Sequence, residues 1–525
     1  MHSTLSERLD SLAQAHPNQL ALIEPGRTIT FSELSNQSRQ LAGYFASQGI
    51  RAGDRVALWL PNMVEWVTCF TALSHLGAIT LSANTKFRSR ELDDLIDRGQ
   101  ASYLIYWPGF KGIAFDDILA DVTPKARARL KATITLTQIQ AAAQENWPEP
   151  ACHGDHGTLT FTTSGTTSLP KFVLHTQSVI LRHADAIAQA LDYNNDTRVL
   201  ASAPFCGAFG FATLIGGLFT GRTVVYEAVS TAESLLRLVR EHQVTHTYAN
   251  NSLILQMLQA SQDPADFASC RLFGFASFAP AQHELFELAR RNNLALTGLY
   301  GSSELIALMA AQPTTPSQGD TRVRYQPGGR LVHESARVRA RDPETGHLLA
   351  HGESGEIEIL SPSRMAGYLD QAQATREAFT EDGYFRTGDL GLCVSDRQFV
   401  FQARMGDSLR LGGFLVNPAE IETVVESFVE IQACQVVAAK KGNKAVAVAF
   451  VLLTTQAQQA QQESLLAQWK TSWYAQCKHQ LAGFKVPVHF EVLDSFPTIE
   501  SANSSKIQKH RLRDMAQQLV GKQHG

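Results

Sequence analysis

Between Thr158 and Ser168 the chain sets six threonines, two serines and one glycine in eleven residues, TLTFTTSGTTS, and Pro170 and Lys171 follow. Hydroxyls, backbone N–H groups and one amine gathered on a short segment suit an anion rich in oxygen, such as a polyphosphate. TLTF and FVLHT both have strand character, so the loop between them joins two strands. A helix capped near Thr176 comes next, with Ile180, Ala184, Ile187 and Leu191 along one face. GTTSLPK lacks the GxxxxGK(S/T) spacing and opens no helix on its lysine, so this is not a Walker loop. Taken alone, the segment reads equally well as a polar surface hairpin.

Four further stretches carry groups of the same kind. LYGSSE begins at Leu299, YFRTGDLG at Tyr384, ARMGDSLRLGGFLVNPAEIE at Ala403 and SSKIQKHRLRD at Ser504. With the hydroxyl-rich loop, these five segments in this order resemble the adenylate-forming superfamily, which holds acyl-CoA synthetases, adenylation domains and luciferases. The likeness runs over nearly the whole chain, from about Phe31 to Arg513. It implies an α/β fold: a large N-terminal domain of layered α/β sheets with a small β-barrel-like part, then a small, mobile α+β C-terminal domain. The domains expected are residues 1–403 and 404–525, with the hinge near 404–407.

The resemblance also assigns roles. A carboxylate is a poor electrophile, and the superfamily activates it by attack on the α-phosphate of ATP, which needs donors and cations set in place before charge builds on the phosphate oxygens. Thr163, Ser164, Gly165, Thr166, Thr167 and Lys171 match the phosphate loop. Glu304 matches the acid that holds Mg²⁺. Tyr300 matches the aromatic against adenine, with Gly301, Ser302 and Ser303 beside it, although a core tyrosine ending a strand fits the local sequence as well. Asp389 matches the carboxylate that accepts both ribose hydroxyls, and Arg404 its partner on the nucleotide. Lys506 matches the lysine that reaches the reacting carboxylate and α-phosphate. Phe275, Ala276 and Ser277 are expected to continue the nucleotide and acyl wall.

Some positions depart from the superfamily pattern. Ser168 and Phe172 stand where glycine is usual, which implies a stiffer or differently shaped loop. Ser303 replaces a threonine, Ser505 precedes Lys506 where glycine is usual, and Gly406 sits at the expected hinge, where a permissive backbone favours rotation. In the superfamily that rotation admits a thiol, of coenzyme A or of a carrier-protein pantetheine, to the acyl carbonyl. No protein nucleophile is then required, and the chain has no GxSxG elbow.

SAPFCGAFGFATLIGG, from Ser202, aligns with the segment lining the acyl pocket. It contains no acidic residue to pair with an α-amino group, which argues against an amino acid substrate. Phe205, Cys206, Gly207, Phe209 and Gly210 are its candidate pocket residues, implying an apolar fatty or aromatic acid. A Gly-containing core helix is an equal reading.

The elements that would position these groups follow from periodicity. FSELSNQSRQLAGYFASQGI reads as a helix closed at Gly49 before the strand DRVALWL, and the same helix-strand alternation recurs at SLLRLVREHQVTHTYA and LFELARRNNLALTGLYG. Parallel α/β layers follow. After about Arg322 short strands and Gly turns imply an antiparallel meander or small barrel, then strand, polar turn, strand and a helix from Ala419. TTQAQQAQQESLLAQW is expected to be an exposed helix. The apolar stretch from Trp66 to Ala83, broken by Thr68, Ser74, His75 and Gly77, reads as a buried helix leading into a strand.

The 525 residues exceed a single core. A formal charge of −4 without long basic runs excludes a nucleic-acid footprint, and seven unclustered cysteines argue against disulfides or structural zinc. A cytoplasmic protein is expected, its partners being a carboxylic acid, ATP, Mg²⁺ and CoA. The leading expectation is an AMP-forming acid–CoA ligase. Its alternatives are an acyl-AMP ligase loading a carrier protein, a noncatalytic ligand binder and a luciferase-like oxygenase.

Overall fold

The computed structural model describes residues 4–142, 153–163, 170–276, 283–294, 296–312, 327–343, 345–405, 409–412, 414–416, 418–442, 444–460, 463–501 and 504–521. Two large sheets organise the first four hundred residues. In the seven-stranded sheet, four parallel strands (Ile79–Ser82, Arg55–Trp59, Tyr103–Tyr106, Ala132–Thr135) continue into the hairpin Gly157–Thr163 and Lys171–Thr176. Gly367–Tyr368 closes its edge.

The thirteen-stranded sheet has a parallel centre, in spatial order Leu20–Glu24, Thr223–Tyr226, Arg198–Ala201, His246–Asn250, Leu272–Ala276 and Leu296–Tyr300. Beyond Tyr300 it continues antiparallel through six strands, ending with Arg337–Arg341 at the edge. The expected meander is thus an extension of the large sheet, joined to it by the two-residue strand Ala310–Ala311.

Both sheets share one core. Leu22 and Val224 of one sheet and Val56, Leu58 and Phe161 of the other pack in a single apolar cluster with three helices, Val64–His75, Gln177–Ala190 and Ala208–Leu218. Val64–His75 is buried on every side, polar residues included, the Thr68, Thr71 and Ser74 hydroxyls donating to carbonyls of their own helix. It leads into Ile79–Ser82 as the sequence implies, and no helix among the described residues is long and apolar enough to cross a membrane. Thr176 caps the helix after the hairpin, its hydroxyl accepting from the Val179 N–H.

From Leu409 on, the chain builds a separate apolar cluster around Val424, Val436 and Trp473. Its sheet is Ile431–Lys441, Lys444–Leu453 and His489–Val492. The Gln-rich stretch forms two helices, Thr455–Ala460 and Glu463–Gln480, the second burying Trp473 completely, so this helix is exposed on one side only. The helix expected from Ala419 starts one residue earlier, at Pro418. Arg404 ends a strand of the thirteen-stranded sheet, paired with Asp389.

Candidate active site

The parallel strands of the large sheet all end at one edge, where a cleft of about 1530 Å³ opens. Ligand sites in open α/β sheets lie outside the carboxyl ends of the strands because the chain turns there and leaves side chains and backbone groups free to converge. The strand-end residues Ser202, Glu227, Asn250, Ala276 and Tyr300 all line this cleft. Thr162 and Lys171 face it from the hairpin of the other sheet.

Lys171 and Phe172 are neighbours on one strand, so they point to opposite faces. The Lys171 ammonium faces the cleft and lies 4.4 Å from the Tyr368 ring centroid, a cation–π contact. The Phe172 ring is buried on the core side, with the Arg98 guanidinium 5.7 Å from its centroid. Phe172 therefore points away from the cleft, while residues 164–169 of the loop it is expected to stiffen lie outside the described residues. Ser164, Gly165, Thr166, Thr167, Ser168, Ser277 and Gly406 lie outside the described residues, as do the side chains of Thr163, Arg404 and Lys506. The backbone of Lys506 pairs with Ile499 in a short hairpin.

Tyr368 connects Lys171 to Glu304. Its hydroxyl donates to Glu304 Oε1 at 3.0 Å, while its backbone N–H donates to Thr375 Oγ1 at 2.9 Å. Sequence reasoning passed over it because MAGYLD carries no chemistry in one dimension; the strand pairing with Val173 brings it beside the hairpin.

Two buried histidines fix the turn around Glu304. The His175 Nε2–H donates to the Ser303 carbonyl at 2.8 Å, and His183 uses both ring nitrogens, accepting from Ser363 Oγ and donating to the Ala307 carbonyl, each at 2.9 Å. Burial pushes their pKa values down to about 4 for His175 and about 3 for His183, so both rings are neutral and can hold these tautomers. Such support is needed, since Ile306, Ala307 and Leu308 have φ of 58°, 49° and 38°. This left-handed region is costly for residues with side chains, most of all for β-branched Ile. The turn is also closed by Ala307 N–H to the Ser302 carbonyl (2.7 Å) and Met309 N–H to the Tyr300 carbonyl (2.8 Å).

Asp389 is 3% exposed and accepts a hydrogen bond from the Tyr300 hydroxyl on Oδ2 at 2.7 Å. The Tyr300 ring packs edge-on against Phe399, 4.9 Å between centroids. The aromatic of the LYGSSE segment thus positions a carboxylate of the YFRTGDLG segment, and both line the cleft with Gly301, Ser302, Ser303 and Glu304.

In the SAPFCGAFGF segment, Cys206, Gly207, Phe209 and Gly210 line the cleft. A Cβ on Gly210 would meet the Pro204 carbonyl oxygen at 2.2 Å, so this glycine permits the helix to start against its own preceding turn and does not widen the cleft. Two expected pocket residues are core residues instead. Phe205 is fully buried against Trp66 and Tyr226, and Phe275 is fully buried beside Phe286, while its strand neighbour Ala276 takes the cleft face. Burial raises the Cys206 thiol to about 12, so it is no ready nucleophile.

The C-terminal segment covers the cleft with Gly412, Lys444–Ala447 and Gly483–Phe484. One buried ion-pair cluster joins it to the rest. Lys485 lies 2.7 Å from Glu420 and 3.5 Å from Glu91, and the Ala482 N–H donates to Glu91 Oε1 at 2.8 Å. Glu91 uses Oε2 to cap its own helix at the Arg88 N–H, 2.9 Å away. Burial alone would lower the Lys485 pKa; the two carboxylates outweigh it and raise it.

The chain is similar to known proteins over nearly its whole length. The chain is 27% identical to the 2-succinylbenzoate–CoA ligase of Bacillus licheniformis, over 96% of this chain and 98% of that one. It is 24% identical to the mitochondrial medium-chain acyl-CoA ligase ACSF2 of Bos taurus, over 98% and 88%. Among solved structures, the o-succinylbenzoate CoA synthetase MenE of Bacillus subtilis matches at 25% identity. A double mutant of it bound to the product analogue OSB-NCoA gives a TM-score of 0.82 over 96% of this chain and 97% of that one. The complex of MenE with AMP gives 0.68 over 97% and 98%. Residues 9–369 match the AMP-binding enzyme family, and with well over half of its length so matched, this chain belongs to that family.

Proposed function

We propose that the protein is an AMP-forming acid–CoA ligase acting on a carboxylic acid with an apolar body, fatty or aromatic. A carboxylate oxygen of the acid attacks the α-phosphorus of ATP, the bond to the bridging oxygen of the β-phosphate breaks, and pyrophosphate leaves. The CoA thiol then attacks the acyl carbonyl and gives up its proton, and AMP leaves with the electron pair of the broken bond. The observation carrying this reading is the convergence of Lys171, Glu304, Tyr300 and Asp389 on one cleft at the strand ends.

In this reading Lys171 and the loop Thr163–Thr167 hold the phosphates. Asp389, pinned by Tyr300 on one oxygen, accepts from the ribose hydroxyls, and Arg404, its strand partner, serves the same nucleotide. Among the described residues no cluster of three or more His, Cys, Asp or Glu side chains is able to hold a metal. A single carboxylate, Glu304, fits Mg²⁺, which is commonly bound by one or two carboxylates plus substrate phosphates. When bound, the ion neutralises phosphate charge.

Lys506 would come from a second domain, whose separate core supports a two-domain chain with the cut between Met405 and Leu409. The better match to MenE with a product analogue than to MenE with AMP, at equal identity, supports an arrangement suited to thiol transfer.

The test is incubation with Mg-ATP and a panel of acids, scoring pyrophosphate release and hydroxamate trapping with and without CoA. CoA-dependent turnover supports the proposal. Adenylate without CoA-dependent turnover favours carrier loading, and no adenylate from any acid overturns it in favour of a ligand binder.

A further inference from the structure

The polar side chains on the acyl side of the cleft fall into two kinds. Asn62 uses its whole amide on the chain, donating to the Ala203 carbonyl (3.0 Å) and accepting from the Phe205 N–H (2.7 Å). Asn250 accepts from the Leu253 N–H at 2.9 Å and caps the helix Asn251–Ala260. The next residue differs. Asn251 is 5% exposed and lines the cleft, yet neither its Nδ2 nor its Oδ1 has a hydrogen-bond partner among the described residues.

A buried amide with no partner is costly, and native proteins rarely tolerate one unless a ligand or water answers it. Here the helix also directs its N-terminal backbone N–H groups, and the positive end of its dipole, toward the same cleft. Position then separates this point from the nucleotide. Tyr300 and Asn250 end strands two places apart in the sheet, roughly 10 Å at the usual strand spacing. The strand between them ends at Ala276, and the apolar side chains Leu299, Ala307, Leu308, Phe209 and Leu253 also line the cleft.

Building on the ligase reading, we infer that Asn251 is a specificity residue that pairs with a neutral hydrogen-bonding group, a hydroxyl or amide, carried by the acid away from its reacting carboxylate. A hydroxyl both donates and accepts, so it can meet either end of the side-chain amide. An ammonium only donates and leaves Nδ2–H unmet. A second carboxylate would accept from Nδ2–H but leave Oδ1 unmet, and it would share the cleft both with the buried carboxyl group of Glu227 and with Lys86 and Lys111, so the dicarboxylic probes decide between these charges.

The experiment measures equilibrium binding of matched acids to the full-length protein without ATP, so that no acid is converted during the measurement. The probes are decanoate against 10-hydroxydecanoate and 4-methylcinnamate against 4-hydroxycinnamate, each with amino-substituted and dicarboxylic counterparts. Wild type is compared with Asn251→Leu, which keeps the side-chain size and removes the amide. In at least one series, the hydroxy acid should bind wild type about 10- to 100-fold more tightly than its methyl partner, and Asn251→Leu should erase that ratio by weakening the hydroxy acid alone. Asn251→Gln should restore part of it. An unchanged ratio, equal weakening of both acids, or tighter binding of the amino or dicarboxylic analogue would overturn the inference. Turnover is read separately, so binding selectivity without adenylate refutes the ligase reading and leaves the role of Asn251 standing.

Discussion

The floor of the cleft and the segment that covers it are built differently. On the floor, the polar groups are fastened to one another: Tyr300 to Asp389, Tyr368 to Glu304, Lys171 to Tyr368, and His175 and His183 to the turn that carries Glu304. All of these partners lie before Met405. The covering segment has its own core and is tied down chiefly through Glu91, with Lys86 adding a cation–π contact to Phe484 at 5.5 Å. A floor fixed in advance suits charge stabilisation, which gains from groups that need no rearrangement. A cover held at few points suits a part that moves between steps.

Mutation separates the two. Lys506→Ala removes a group the floor does not supply. It should lower pyrophosphate release by at least about 10²-fold while thermal unfolding is unchanged; near-normal release would end its assignment to the adenylation step.

Glu91→Gln removes the charge that holds the cover and leaves one amide oxygen to serve either the Ala482 N–H or the Arg88 cap. The CoA-dependent step should slow by roughly 10-fold while adenylation holds or rises, because the ion pair to Lys485 favours the present arrangement. Equal loss in both half-reactions, followed separately by pyrophosphate and thioester assays, would show that the contact is not a latch.

Tyr368→Phe keeps the ring under Lys171 and removes the hydrogen bond to Glu304. A fall in kcat of about 3- to 10-fold is expected, accompanied by a weaker response to Mg²⁺ titration. An unchanged Mg²⁺ response would detach Tyr368 from the Glu304 site.

The smallest effect is on stability. His175 and His183 have folded pKa values below the unfolded value of about 6.5. Below pH 6.5 the unfolded chain therefore binds more protons, so their contribution is complete above 6.5 and is lost as pH falls toward 4. Melting temperatures measured across this window should drop for wild type and drop less for His175→Gln. Parallel curves would remove His175 from the account.

Much of the floor was legible before any fold was known. Lys171, Glu304 and Asp389 stand in short segments whose residue types announce their chemistry, and all three line the cleft. Tyr368 and the two histidines were not legible, because the groups they hold at Glu304, Ser303 and Ala307 are 64 to 128 residues away and only strand pairing and helix packing bring them near. Phe205 and Phe275 misled for a related reason: a segment can border a cleft while some of its side chains turn to the core, Phe275 by strand alternation and Phe205 from the turn before the helix Ala208–Leu218. Glu91 and Lys485, 394 residues apart, could not be paired by any local pattern.

The sequence by itself determined the order of the elements, the hairpin that carries Lys171 and the groups able to bind a phosphorylated ligand, since periodicity and residue chemistry are local properties. Only the tertiary structure decided which of those groups face one another, that Phe172 belongs to the core, and that the amide of Asn251 has no partner among the described residues. Burial and long-range pairing are properties of the packed chain, and no short stretch contains them.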